Sequence, residues 1–202
     1  MKQLSIANKS VILIFLILLA DQASKIWVKT NMVLGQEIPI IGNSVLIHFT
    51  ENYGMAFGYE FGGEYGKIAL SLFRIVAVIG IIWYLRQLIE RDAPRGLVLS
   101  ISLILAGAVG NIIDSAFYGM IFSDSYFTTA EFMPEDGGYA TFLHGRVVDM
   151  LYFPILRGNW PEWVPMIGGQ RFIFFRPVFN IADAAITTGV AVTLLFYRKY
   201  FN

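Results

Sequence analysis

Apolar positions in this chain gather into four long stretches, separated by segments rich in Gly, Pro and aromatics. The stretches run from about Ser10 to Val28, Ile68 to Leu85, Gly96 to Asp114 and Val178 to Tyr197. A helix crosses a bilayer with roughly 20 residues at about 1.5 Å rise each. The pattern therefore predicts four membrane-spanning helices, with Pro177 in the first turn of the last, where its missing N–H costs nothing. The intervening stretches 29–67 and 115–177 contain no comparable run. "SVLIHF" (Ser44 to Phe49) reads as a strand. Trp160 and Trp163, between Pro161 and Pro165, suit the aromatic belt at lipid headgroups. The predicted architecture is a single domain over residues 1–202. It is an all-α membrane bundle with a small β-rich element outside and a segment lying on the membrane surface. A small exposed loop core explains the outer segments equally well.

Composition agrees with a membrane protein. The chain is 56% hydrophobic and 15% charged, too apolar for an ordinary soluble domain. Basic and acidic residues balance at 15 each, so no nucleic-acid partner is expected. With no Cys, disulfides, thiolate catalysis and thiolate metal sites are excluded. His48 and His144 are the only histidines, too few and too distant for a His-rich zinc site; no metal or cofactor is expected. The first stretch has a basic flank at Lys2 and Lys9, like a secretory leader, but apolar character resumes at Ile26–Val28 and no clean cleavage site follows. A retained span is expected. Lys2 and Lys9, then Arg86, Arg91 and Arg95, then Arg198 and Lys199 alternate along the chain. The positive-inside rule puts both termini and the middle loop in the cytoplasm, and the two long segments outside.

Given that orientation, the intramembrane acids share one depth. Asp21 falls in the outer half of the first span, Asn111 and Asp114 at the outer end of the third, and Asn180 and Asp183 in the first turns of the fourth. Asp149, in "GRVVDMLYF", reaches a similar depth if its apolar run returns to the membrane surface. Both "NIID" (Asn111 to Asp114) and "NIAD" (Asn180 to Asp183) are Asn-x-x-Asp, which puts amide and acid on one helix face. Small residues flank both: Ala106, Gly107, Ala108 and Gly110 in one, Ala182, Ala184, Ala185 and Gly189 in the other. Such faces let helices approach closely in lipid. Charged carboxylates are costly there unless they face a partner or a wet cavity. Two adjacent acids share a proton, the arrangement an aspartic hydrolase uses to activate water and polarise a carbonyl. Spacing leaves Asp114 and Asp183 as good a pair as any other. Asp21 with Lys25, at i and i+4, also suits a structural ion pair; Arg74 suits either pairing with an acid or snorkelling to headgroups.

Five ordered blocks bear a family resemblance: "DQASK" (Asp21 to Lys25), "ENYGMAFGY" (Glu51 to Tyr59), "GAVGNIID" (Gly107 to Asp114), "VVDMLYF" (Val147 to Phe153) and "FNIADAAITTG" (Phe179 to Gly189). Together they resemble lipoprotein signal peptidase, or signal peptidase II, over nearly the whole chain. The resemblance implies an intramembrane aspartic endopeptidase of the bacterial inner membrane, with its active site facing the periplasm. Its substrates would be diacylglyceryl-modified prolipoproteins, entering from membrane lipid; a monomer is expected. Carried over by motif, Asp149 and Asp183 become the catalytic pair. Asn111, Asp114, Asn180 and Asp21 become supporting residues, and Asn52 and Gly54 lie near substrate.

Two departures stand out. Ser115 occupies the place of the family's usual Arg, a charge Arg146 would have to supply. The connections are also lengthened, at about 123–145 and 157–171, by what reads as a lid, a partner surface or filler. The rival reading from a different class is a small proton- or cation-coupled transporter using intramembrane acids.

Overall fold

The structure, a computed structural model, describes residues 4–53 and 63–201. Helix α1 (Ile6–Asn31) begins at Ser5, whose Oγ accepts from the Asn8 amide at 3.2 Å. Strands β1 (Glu37–Ile41) and β2 (Val45–Asn52) follow. Next come helices α2 (Gly63–Glu90) and α3 (Arg95–Ile113). The axis of α3 continues through one π-helical turn (Asp114–Tyr118) into a short α4 (Gly119–Ile121). Strands β3 (Val147–Tyr152), β4 (Leu156–Asn159), β5 (Arg171–Phe174) and β6 (Val178–Phe179) precede the last helix, α5 (Ile181–Phe196).

Among the described residues three helical stretches are long and apolar enough to cross a membrane: Ile6–Asn31, Gly66–Glu90 and Arg95–Ile121. Helix α5 is equally apolar but has 16 residues. Large apolar side chains on the outer faces, Phe15, Phe73, Val76 and Leu195 among them, are exposed. Faces of this kind belong in lipid, and the chain is a membrane protein.

The helices overrun the predicted windows, because backbone hydrogen bonding carries a helix past its apolar section until a cap stops it. The fourth segment departs the other way. Asn180 is extended (φ −118°, ψ 179°) and caps α5, so Val178 and Phe179 form an edge strand instead of helix. Pro177 therefore precedes a strand and does not begin a helix.

Small residues set the depth at which helices meet. A Cβ on Gly107 of α3 would lie 2.2 Å from the Ala182 carbonyl oxygen, and one on Gly189 of α5 would lie 2.5 Å from that of Ser100. Only glycine permits this approach of α3 to α5. It brings Asn111 level with the start of α5.

The strands form an antiparallel sheet in the order β1-β2-β3-β6, with β4 and β5 a separate hairpin. The predicted strand Ser44–Phe49 is the first part of β2. Strand β3 is buried nearly throughout. Its Val148 and Met150 pack with Val28 of α1, Met32 at that helix's C-cap, Phe49 of β2, and Tyr118 and Phe122. A second core joins α2 and α3 through Leu85, Leu88, Leu97, Val98 and Leu105. The insertion at 123–145 is folded against the end of α3. Its amides reach carbonyls that the π turn and α4 leave available: Leu143 to Ala116 at 3.2 Å, Gly145 to Ser115 at 2.9 Å, and Ala140 to Gly119 at 2.8 Å.

Candidate active site

Strand β3 returns to the helices beside the N-terminus of α5, and that return joins the acids of distant segments. Asn180 makes the junction. Its Oδ1 accepts from the Asp183 amide at 2.8 Å, and the Asp183 carboxylate accepts from the Asn180 amide at 3.3 Å, a reciprocal capping box. With the carboxamide oxygen thus fixed, Asn180 aims its Nδ2 at β3 and α3. Its Nδ2 reaches Asp149 Oδ1 at 2.8 Å, Asn111 Oδ1 at 3.1 Å and the Val148 carbonyl at 3.2 Å. Asn111 Nδ2 donates to Asp183 Oδ1 at 2.8 Å. Asn52 Nδ2, from the end of β2, donates to Asp149 Oδ2. Two carboxyls are thus connected through two carboxamides.

Beneath them lies a buried ion cluster. Lys25 Nζ is 2.8 Å from Asp21 and 2.7 Å from Asp114, with all three side chains fully enclosed. It also donates to Asn111 Oδ1 at 3.0 Å. Because that oxygen faces Lys25 and Asn180, the amide nitrogen of Asn111 must face Asp183. Asp21 Oδ1 accepts from the Ala182 amide at 2.9 Å, which satisfies an open donor of α5 and places negative charge at its N-terminus. Asp114 accepts from Gln22 at 2.9 Å and from the Val148 amide at 3.3 Å, tying β3 to α3. Tyr118 in turn donates to Gln22 at 3.1 Å.

Electrostatics distinguish the carboxyls. Burial raises the pKa of Asp149 from 3.8 to about 7, and the nearby Asp183 charge adds to the rise; hydrogen bonds from Asn52 and Asn180 and the Lys25 charge oppose it. Asp183 is less enclosed than Asp149. The Arg74 guanidinium lies within range of the Asp183 and Asp114 charges.

All four acids singled out in the sequence meet here, but not as their motifs suggested. The two Asn-x-x-Asp motifs are not equivalent. In α5 the Asn is a cap outside the helix. In α3 both members meet Lys25, and Asn111 alone extends to Asp183. Arg146 does not supply charge to this layer, contrary to the sequence expectation. It pairs with Glu51 at 2.8 Å and Asp124 at 2.6 Å, because its position at the mouth of β3 turns it toward β2 and the insertion. Gly54 lies outside the described residues. Gln22 escaped sequence reasoning, and Lys25 was expected beside Asp21 but not beside Asp114 and Asn111. A visible signal existed: Asp21, Lys25 and Lys29, spaced by four, draw a charged line along an otherwise apolar helix. Among the described residues no cluster of metal-binding side chains is present.

A polar centre of carboxyls and carboxamides at one end of apolar helices defines a membrane protein equipped for acid–base chemistry. The family model described as signal peptidase (SPase) II matches residues 13–199, and the chain belongs to that family of aspartic-type peptidases. A lipoprotein signal peptidase of Porphyromonas gingivalis is 51% identical over 188 residues, covering 93% of this chain and 81% of the relative. One from Amoebophilus asiaticus is 40% identical, covering 88% and 72%. A solved bacterial membrane enzyme shares the fold with a TM-score of 0.64 at 22% identity, over 100% of this chain and 94% of that one. The carrier reading finds no support in these matches.

Proposed function

We propose that the protein cleaves the signal peptide from diacylglyceryl-modified prolipoproteins, with Asp149 and Asp183 as its catalytic pair. The names of the relatives support the substrate class. The observation that carries the site assignment is the hydrogen-bonded link of Asp149 and Asp183 through Asn180 and Asn111. Asp149, buried and held near pH 7, keeps a proton. Asp183 takes a proton from water as that water attacks the scissile carbonyl, while Asp149 donates to the carbonyl oxygen. The gem-diol intermediate collapses as the proton on Asp183 passes to the leaving amide nitrogen and one gem-diol hydroxyl returns a proton to Asp149, which restores both carboxyls. Asn52 steadies the Asp149 carboxyl, and Asn111 and Asn180 steady the pair. The step needs no metal.

Four spans, α5 included, place the basic ends of the helices in the cytoplasm and the acids at the periplasmic side of the inner membrane. The diacylglyceryl chains remain in lipid and deliver the cleavage bond to the acids. The exposed Trp163 and Phe174 of the β4–β5 hairpin suit the headgroup layer. Both carboxyls come from one chain, which supports a monomeric enzyme.

The test is cleavage of a diacylglyceryl-modified prolipoprotein by the purified protein in lipid. Asp149→Asn and Asp183→Asn each lose activity by about a thousandfold or more while staying folded. Either variant retaining a tenth of wild-type activity refutes the assignment.

A further inference from the structure

A second buried charge network lies apart from the acids, on the opposite side of the same strands. Lys29, in the last turn of α1, pairs with Glu51 Oε1 and donates to Ser125 Oγ at 2.8 Å. Arg146 Nη1 lies 2.8 Å from the other oxygen of Glu51, an ion pair without hydrogen-bond geometry, and Nη2 donates to Asp124 at 2.6 Å. The side chains of Lys29, Glu51 and Arg146 are 0%, 1% and 7% exposed. The Tyr139 ring stands between the two cations, 4.9 Å from Lys29 Nζ and 4.2 Å from the Arg146 guanidinium carbon. Its hydroxyl accepts from the Arg146 amide at 2.7 Å.

Asp124, Ser125 and Tyr139 all belong to the lengthened connection. The same segment is held to α1 and the turn after it by backbone bonds, Ala130 to Lys29 at 3.0 Å and Leu34 to Ser125 at 2.9 Å. The insertion therefore completes a network whose other members sit on α1, β2 and the start of β3. Left without it, the cations and Glu51 would keep an incomplete set of partners in a buried place, a costly arrangement.

This network adjoins the site through one residue. Glu51 lies opposite Val148 and Asn52 opposite Val147 in the β2–β3 register. Neighbouring strand residues face opposite ways, so Glu51 points into the charge network and Asn52 to the other face, where it meets Asp149. Asn52 is also the last residue of β2, where a strand frays unless anchored. We propose that the insertion is a buttress: Asp124, Ser125 and Tyr139 lock Arg146, Glu51 and Lys29, and the lock holds the end of β2 so that Asn52 stays on the Asp149 carboxyl. Arg146 and Glu51 are thus positioning residues for the cleavage reaction. The inference rests on Asp149 being catalytic.

A double-mutant cycle tests it. Arg146→Met lowers kcat by about tenfold to a hundredfold, the cost of misplacing a reacting group, while KM stays within about threefold. In an Asn52→Ala background the same substitution changes kcat by less than about twofold, because the interaction it served is already gone. Arg146→Lys, which keeps the Glu51 pair, recovers part of the loss. Asn52 opposes the rise of the Asp149 pKa, alongside Lys25 of α1 and against Asp183 of α5. The alkaline limb of kcat against pH therefore moves to higher pH in Arg146→Met, which a general loss of stability would not produce.

Where Arg146→Met fails to fold, Asp124→Ala serves, since that carboxylate is 43% exposed. Its kcat falls at least about threefold alone and not at all with Asn52→Ala. Fully multiplicative effects, or wild-type kcat in the variant used, overturn the buttress and leave the catalytic pair standing. Cleavage by Asp149→Asn would instead remove the pair itself.

Discussion

Asp149→Asn should make the protein inactive and, above neutral pH, more stable. In the folded chain the carboxyl titrates at about 7, against 3.8 for an ordinary Asp. A group with a raised folded pKa contributes stability that is fully present below its unfolded pKa and is lost as pH rises through its folded one. The unfolded chain sheds this proton near pH 4 while the folded chain still holds it. From there to about pH 7 the wild type loses stability at about 1.36 kcal/mol for each tenfold fall in proton concentration, on the order of 4 kcal/mol in all.

Asparagine cannot ionise and escapes that loss. It carries a constant cost instead. Asp149 accepts from Asn180 at one oxygen and from Asn52 at the other, and a carboxamide can accept at only one. The hydrogen bond lost there costs about 1–3 kcal/mol at every pH. The variant is therefore the less stable protein near pH 4 and the more stable one at pH 8. In a chain of this size, about 2–4 °C per kcal/mol converts the swing into roughly 10 °C of relative melting temperature. The assay is thermal unfolding of both proteins in detergent across pH 4–9. A melting difference that stays flat over this range means that the Asp149 carboxyl is ionised throughout, and the role given to its proton is wrong.

Two further substitutions probe the framework. Lys25→Met leaves Asp21 and Asp114 buried together without their cation, and removing one partner of such an ion pair costs about 3–5 kcal/mol. Thermal unfolding at pH 7 should show the loss, with partial recovery on adding Asp114→Asn; an unchanged melting temperature refutes the reading. Gly107→Leu forces a side chain where even a Cβ meets the Ala182 carbonyl at 2.2 Å, so α3 and α5 must separate and part Asn111 from Asp183. Cleavage should fall about a hundredfold, whereas Gly80→Leu, with open space around its Cβ, should cleave normally; equal activities would contradict this account of the helix contact.

What the sequence conveyed was depth. Charged residues in an apolar span are costly enough to be conspicuous, so Asp21, Asp114 and Asp183 could be aligned at one level from the positions of Lys and Arg alone. Direction was less legible. Asn111 and Asp114 are a turn apart on one helix, but which partner each side chain meets depends on how α1, α5 and β3 pack around it. No local pattern encodes that. Nor did the motif at Asn180 announce a cap, since Asn-x-x-Asp suits a helix interior and a capping box alike. Only the edge strand at Val178–Phe179 decides between them. The Lys29–Glu51–Arg146 network was illegible for a different reason: its members are far apart in the chain, and only the packing of α1, β2 and β3 brings them together.

The same logic explains how the chain tolerates Ser115 in place of a charged residue. An arginine beside Asp114 would have to pair with an acid there, yet Asp114 already has Lys25 at 2.7 Å and Gln22 at 2.9 Å. Its second oxygen also takes the Val148 amide. Ser115 is itself buried, and its hydroxyl donates to the Asn111 carbonyl at 3.0 Å, so it leaves no open polar group. The buried cation that the site requires comes from α1, one turn after Asp21, where it bridges two acids and fixes the orientation of Asn111 at once. Arg146 is thereby released from the acid layer, and its charge is available to anchor the strand that carries Asn52.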